Sequence, residues 1–255
     1  MDIEKALKRA LEENQFHLVY QPKIDLKTGQ LNGVEALLRW HHPRFGIISP
    51  MELIPAAEET RMIIDIGGWV MHEACKQVQE WQSVGHSRLN VAVNVSVIQL
   101  EDDDFIASVK RVIERTNLAP ACLELEITES IMQNTKDTKM ILQQLKELGV
   151  RTSIDDFGTG YSSLHVLQHL PIDALKIDQS FIKGLDESGA SPMVKTIIEL
   201  GLNLDLDIIA EGIETDFQLQ FLKQNGCTLG QGYLLSKPLD GANFERYLKA
   251  FSAIH

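Results

Sequence analysis

The spacing of apolar residues along the chain switches between two periods. Ile3, Ala6, Leu7, Ala10 and Leu11 recur three and four residues apart behind Asp2, a residue suited to capping a helix, so the chain opens on an amphipathic helix. "FHLVYQPKIDL" and "QLNGVEALLRW" then read as strands joined through "KTGQ", whose glycine predicts a turn and an antiparallel pair. From there helices and strands alternate. A helical stretch from "SPMELIPAAEE" through "IGGWVMHEACKQVQEW" precedes strand "LNVAVNVS", "DDFIASVKRVIERT" precedes "CLELEIT", and "TKMILQQLKEL" precedes "VRTSID". The unit continues with "YSSLHVLQHL" before "ALKID", "PMVKTIIELGLNL" before "DIIAEGI" and "DFQLQFLKQN" before "TLGQGYLL", and helix "ANFERYLKAF" closes the series.

Parallel neighbours need long crossovers, so this alternation predicts a parallel sheet covered by helices. About eight strands in one unbroken series point to a closed α/β barrel rather than an open sheet. No linker rich in proline, glycine or serine interrupts it, which predicts one domain over residues 1–255.

Composition narrows the chemistry. A formal charge of −12 argues against binding long nucleic acid or an anionic membrane surface, and any anionic substrate needs local cations. Three widely spaced cysteines, Cys75, Cys122 and Cys227, form no CxxC pair and fit a reducing, cytoplasmic compartment. No apolar run reaches the roughly 18 residues of a membrane span, so the chain itself is expected to be soluble, without membrane contact.

The polar residues on the strands carry the functional signal. Glu35, Asn94, Glu126, Asp155 with Asp156, Lys176, Glu211 and Gln231 all fall toward strand ends, and the C-terminal ends of barrel strands open onto the face where active sites form. Five acidic groups in one pocket repel each other unless cations neutralise them. An all-oxygen donor set favours Mg²⁺ or Mn²⁺ over zinc. Adjacent aspartates at a turning strand end can both face the pocket, one of them bridging two ions about 3.5–4 Å apart. Such a pair activates water and stabilises in-line displacement at phosphorus, so the residues themselves lead to phosphodiester hydrolysis.

Each residue also has a plainer reading. A lone acid at a strand end is commonly a helix cap, and Asp155–Asp156 before Gly158 and Gly160 is also turn chemistry. Lys176 is either a Schiff-base amine of an aldolase-type barrel or a counterion kept protonated by the acids. His41 and His42, neighbours on a strand, point to opposite sides and are not expected to ligate metal. Met51, Met62, Met71, Trp40, Trp69 and Trp81 read as core or helix-packing residues.

"EALLRW" at Glu35 to Trp40 resembles the signature of the EAL family of cyclic di-GMP phosphodiesterases, and "YQPKID", "NVSVIQL", "ELEITES", "IDDFGTGYSSL", "LKIDQSFI", "IAEGIE" and "GQGYLLSKP" resemble further family motifs in the family's order. The resemblance implies a TIM-like (β/α)8 barrel with one antiparallel strand near the N-terminus, forming a single phosphodiesterase domain over 1–255. It implies that Glu35, Asn94, Glu126 and Asp155 hold one divalent cation and Asp155, Asp156 and Glu211 a second, either Mg²⁺ or Mn²⁺, with Ca²⁺ inhibitory. Glu35, Asp155 and Asp156 then act with Lys176, which orients the attacking water. Gln21, Arg39 and Gln231 are implied to meet the substrate or the water, Glu129 to steady the "DFGTGYSS" loop, and Glu214 to lie behind the ligands as a second loop support.

The implied reaction is hydrolysis of cyclic di-GMP to linear pGpG by a bacterial signalling enzyme. The alternative is a catalytically silent cyclic di-GMP receptor or protein-interaction domain, the reading for relatives that have lost ligands; none of the ligand positions is lost here. The resemblance further implies a homodimer and a place within a larger multidomain signalling protein, whose full length can be membrane-anchored.

Overall fold

Strands β1 (Phe16–Asp25) and β2 (Leu31–His42) form the expected antiparallel hairpin, with Gln21 opposite Glu35 and Lys23 opposite Gly33. Asp25 makes the turn by accepting the N–H groups of Lys27 and Thr28 on its own carboxylate. The computed structural model describes residues 3–87, 89–133, 135–160, 164–185 and 191–254; Asp2, read as the first helix cap, lies outside them.

β3 (Gly46–Ile48), which no apolar period announced, extends β2 as a short antiparallel ribbon. The remaining barrel strands are β4 (Asn90–Val95), β5 (Leu123–Thr128), β6 (Arg151–Phe157), β7 (Ala174–Ile177), β8 (Asp207–Ala210) and β9 (Leu229–Gly230), each parallel to its neighbour from β2 onward. β9 pairs antiparallel with the end of β1, so eight strands close a barrel in which β1 alone runs against its neighbours. β10 (Leu239–Asp240) adds a short pairing to the outer part of β1.

Several expected elements are shorter than the apolar pattern suggested. Of "YSSLHVLQHL" the described helix is Leu164–Leu167, residues 161–163 lying outside the described set. The stretch from Pro50 to Ser83 is two helices, Pro50–Glu59 and Ile63–Ser83, separated at Arg61, whose φ is 57°. The "TLGQGYLL" strand stops at Gly230 because the chain then locks onto Ile213. Ile213 donates its N–H to Gln231 and accepts from Leu234, and a Cβ on Gly232 would sit 2.2 Å from the Ile213 backbone.

The main core lies between the strands and the outer helices. Tyr20, Trp81 and Phe244 stack there at centroid distances of 4.8 and 4.6 Å, tying β1 to Ile63–Ser83 and to the last helix, Gly241–Ile254. Trp40, Trp81 and Met71 are buried, and Trp69 and Met62 pack at the margin of the core. Met51 departs from the core reading: in the first turn of Pro50–Glu59 it points outward, 84% exposed. Inside the barrel the apolar content is a separate small plug of Ala174, Ile209 and Leu229. Around that plug stand the buried polar residues Lys23, Glu35, Glu124, Glu126, Ser153 and Lys176.

β6 answers how two consecutive aspartates serve one site. Ile154 pairs with Leu175 but Phe157 with Ile177, so β6 carries one extra residue against β7. That bulge contains Asp156 in the left-handed region, with φ of 54°. A regular strand would send Asp155 and Asp156 to opposite faces; the bulge re-aims the second one. Left-handed backbone costs an L-residue with a Cβ roughly 1–2 kcal/mol, which aspartate tolerates better than most side chains. Chemical denaturation is therefore expected to find Asp156→Gly more stable than Asp156→Ala by about 1 kcal/mol, and equal stabilities would exclude backbone strain at this bulge.

Candidate active site

Period-two alternation directs Gln21 and Lys23 of β1, Glu35 of β2, Asn94 of β4, Glu124 and Glu126 of β5, Ser153 and Asp155 of β6 and Lys176 of β7 toward the barrel axis. Glu211 and Gln231 follow the last residues of β8 and β9. Lys176 stands at the centre, with none of its side chain exposed. Its Nζ lies 2.5 Å from Glu126 Oε2, 2.6 Å from Glu211 Oε1, 3.1 Å from Asp155 Oδ1 and 3.9 Å from Glu35 Oε2.

Burial works against a charge on Lys176, but the carboxylates, Glu126 foremost, outweigh it and hold the ammonium well above its ordinary pKa. That argues against the Schiff-base reading, which needs a free amine at neutral pH. Glu35 is held as a carboxylate: burial opposes its charge, yet Lys176 and hydrogen bonds from Gln231 (2.6 Å) and Asn94 (2.7 Å) keep it below the usual range.

Three other acids, Glu126, Glu211 and Asp156, are short of positive charge. Burial and the Glu35 charge push Glu126 well above the ordinary glutamate range. Glu211 rises to about 7, through burial and then the charges of Glu35 and Asp155, although Lys176 works the other way. Asp156 rises to about 6, through burial and the nearby Asp155 and Asp178.

Asp155, Asp156 and Glu211 each offer an oxygen, and the three lie within 4.8 Å of one another. Gln231 donates to Glu35 and to Glu211 (3.0 Å) while its buried Oε1 has no partner. An all-oxygen cluster in which Asp156 and Glu211 hold protons more tightly than usual for want of counter-charge, beside an unsatisfied acceptor, fits a hard divalent cation with water around it.

Most of the remaining candidates surround this centre. Gln21, buried opposite Glu35, donates to the Ser236 carbonyl at 3.4 Å. Arg39 is half-buried and donates to the Leu38 carbonyl; burial lowers its pKa, offset in part by Tyr233 and Glu35. Glu129 is buried at the end of β5 and accepts the N–H groups of Gly158 (2.8 Å) and Gly160 (3.2 Å). Gly158 has φ of 96°, a conformation that lets the loop turn its amides inward.

Glu214 stands apart. Its side chain is exposed and its backbone N–H goes to Gln218, so it is not brought to the loop. His42 accepts the N–H groups of Arg44 and Phe45 and lies edge-on to Trp40, a turn-forming role. Cys75 and Cys227 are buried free thiols, each pushed up to about 12 by burial.

Two interior residues escaped the reading of strand ends. Lys23 is 2% exposed, with Nζ 2.8 Å from Glu124 Oε1 and 3.4 Å from Glu126 Oε1. Glu124 also receives Ser153 Oγ at 3.4 Å and lies 3.6 Å from Arg151, which binds Asp207 at 2.7 Å. The signal was available: Lys23 follows Gln21 by two, and Glu124 precedes Glu126 by two, so each shares the inward face of a residue already singled out.

A model of the EAL domain family matches residues 4–238. The chain is 46% identical over 235 residues to the bifunctional diguanylate cyclase/cyclic di-GMP phosphodiesterase MucR of Pseudomonas aeruginosa, covering 91% of this chain and 34% of that protein. It is 43% identical to the cyclic di-GMP phosphodiesterase NbdA of the same organism, covering 98% and 32%. The chain thus spans about a third of the length of these curated relatives. Among solved structures it is similar to the PaMucR phosphodiesterase in complex with c-di-GMP, with a TM-score of 0.91, 44% identity and coverage of 96% and 100%. It is also similar to the FimX EAL domain of P. aeruginosa bound to c-di-GMP, with a TM-score of 0.85, 29% identity and coverage of 94% and 97%.

The raised carboxyls have a measurable consequence. Because Glu211 and Asp156 hold protons more tightly folded than unfolded, their contribution to stability is full below the ordinary carboxyl range and is lost as pH rises through about 6 to about 7. In EDTA, Glu211→Gln is expected to flatten the fall in melting temperature between pH 5 and pH 8; an unchanged slope would take Glu211 out of this account. Uptake of Mg²⁺ or Mn²⁺ at pH 6.5 is expected to release protons, read by calorimetry in buffers of different ionisation enthalpy.

Proposed function

The chain belongs to the EAL domain family, and on that footing we propose that it hydrolyses one phosphodiester bond of cyclic di-GMP to give linear pGpG. The observation that carries this reading is the ring of Glu35, Glu126, Asp155 and Glu211 around the buried Lys176 at the barrel mouth, with Asp156 beside it. Similarity to named cyclic di-GMP phosphodiesterases and to c-di-GMP complexes supports the choice of substrate.

Glu35, Asn94, Glu126 and Asp155 would hold one divalent cation, and Asp155, Asp156 and Glu211 the other, with Mg²⁺ or Mn²⁺ suited to the oxygen donors. When bound, the pair supplies Lewis acidity toward a phosphoryl oxygen and lowers the pKa of a water.

The chain's own residues do the remaining work. Lys176, kept protonated, donates to the attacking water and offsets charge at the phosphate. The unpartnered Oε1 of Gln231 accepts from that water and turns a lone pair toward phosphorus. The water oxygen adds to phosphorus and one water proton ends on O3′ as the P–O3′ bond breaks, so O3′ leaves as a hydroxyl and the product carries a 5′-phosphate. Arg39, with its planar fork of donors, and Gln21 grip the substrate at the rim. Glu129 holds the loop at Gly158 and Gly160, which keeps the Asp155–Asp156 bulge in place.

The same reading makes the chain a cytoplasmic, homodimerising part of a larger bacterial signalling protein. Among the described residues no helix is long and apolar enough to cross a membrane.

The deciding experiment incubates the protein with cyclic di-GMP and Mg²⁺ or Mn²⁺, with and without EDTA, and follows pGpG by chromatography. Metal-dependent pGpG is expected. Tight binding without hydrolysis under either metal would replace the enzyme by a receptor. Asp155→Ala and Lys176→Met are expected to lower kcat by about 10²–10⁴ while remaining folded, and Ca²⁺ to inhibit. Near-normal turnover by a folded Asp155→Ala variant would overturn the shared-ligand assignment.

A further inference from the structure

Among the described residues the interior of the barrel holds six carboxylates, Glu35, Glu124, Glu126, Asp155, Asp156 and Glu211, but only two ammonium groups, Lys23 and Lys176. Lys176 serves the mouth. Lys23 lies deeper: on β1 it stands opposite Gly33, two residues from the Glu35 level toward the start of β2, and it meets Glu124 two residues before Glu126 on β5.

The two ammoniums divide the Glu126 carboxylate. Oε1 faces Lys23 at 3.4 Å and Oε2 faces Lys176 at 2.5 Å. Glu126 is wholly buried, and Lys23 is fixed from below by its 2.8 Å contact with Glu124. One Glu126 oxygen thus faces the floor of the site, and the other, in contact with Lys176, faces the mouth.

From this we infer that Lys23 is a specificity-determining residue that restricts Glu126 to one-oxygen ligation and thereby sets the preference of the site against Ca²⁺. The inference rests on the divalent-cation reading of the site. Mg²⁺ takes single oxygens in a tight octahedron, whereas Ca²⁺ accepts six to eight ligands and readily uses both oxygens of a carboxylate. With Oε1 held by Lys23, the site lacks the extra donor from which Ca²⁺ gains more than Mg²⁺. Lys23 thus acts on the metal through Glu126, as a positioning residue.

Lys23 also weakens any dication electrostatically, and removing it raises affinity for Mg²⁺ and Ca²⁺ by a common factor. The ratio of the two affinities separates denticity from charge.

The test is calorimetric titration of EDTA-treated, dialysed protein with MgCl₂ and CaCl₂, with circular dichroism melting as the control for folding. Lys23→Met is expected to raise the ratio of Ca²⁺ to Mg²⁺ association constants about tenfold. Lys23→Met takes from the buried Glu124 its closest partner, leaving only Ser153 and the more distant Arg151, so Lys23→Met/Glu124→Met, which removes the whole pair, is measured beside it. The double variant is expected to keep the raised ratio, because Oε1 of Glu126 is free in both.

A wild-type ratio in the folded double variant, with both constants changed together or not at all, would overturn the role and reduce Lys23 to a partner of Glu124. Wild-type protein that binds neither ion would remove the metal reading, and the Lys23 role with it; a failure confined to the ratio leaves that reading standing.

Discussion

Everything at the mouth of this barrel is organised by the Lys176 ammonium and its deficit of partners on the positive side. One buried cation faces four carboxylates, and a low-dielectric interior cannot hold that imbalance without response. The response is visible in the carboxyls: Glu35, with two amide donors, stays ionised, while Glu126, Glu211 and Asp156 shift toward the neutral form. The site is therefore under electrostatic tension that dications relieve. On the proposed two-metal reading, the demand for cations belongs to the fold as much as to the reaction.

The barrel supplies that tension by geometry. Parallel strands bring the same period-two face of each segment to one end, and the lone antiparallel strand β1 reaches the interior from the opposite direction. Its Gln21 lands at the mouth and its Lys23 in the floor, so one strand serves both levels. The bulge on β6 breaks the alternation where two consecutive side chains are wanted on the same side.

Much of this is readable from residue order alone. Alternating helices and strands announce the barrel, and an acid or amide near each strand end announces the site, because both follow from local periodicity. What escaped reading depends on contacts between distant segments. Lys23 and Glu124 sit inside apolar-looking strands, and only the register of β1 against β2 and of β5 against β4 shows them to be on one level of the interior. The left-handed Asp156 is hidden for the same reason: a bulge is a property of a pair of strands. Met51 is misread because helical spacing alone does not say which side of a helix finds a partner. Glu214 is close to the site in sequence, yet the turn into Asp216–Gln224 carries it out to solvent.

The pairing of β1 with β9 joins segments about two hundred residues apart, and such long-range closure comes late because loop entropy must be overcome first. On the ribosome, chains fold as they emerge, from the N-terminus. The strands carrying Glu35, Asn94, Glu126 and Asp155 are thus made while Gln231 and the closing strand are still unsynthesised, and the floor lysine of β1 waits beside an open edge. A chain truncated before β9 lacks the strand that closes the barrel against β1 and lacks Gln231, so the mouth is completed in one step with that segment. Translation order itself thus keeps incomplete copies without a finished site.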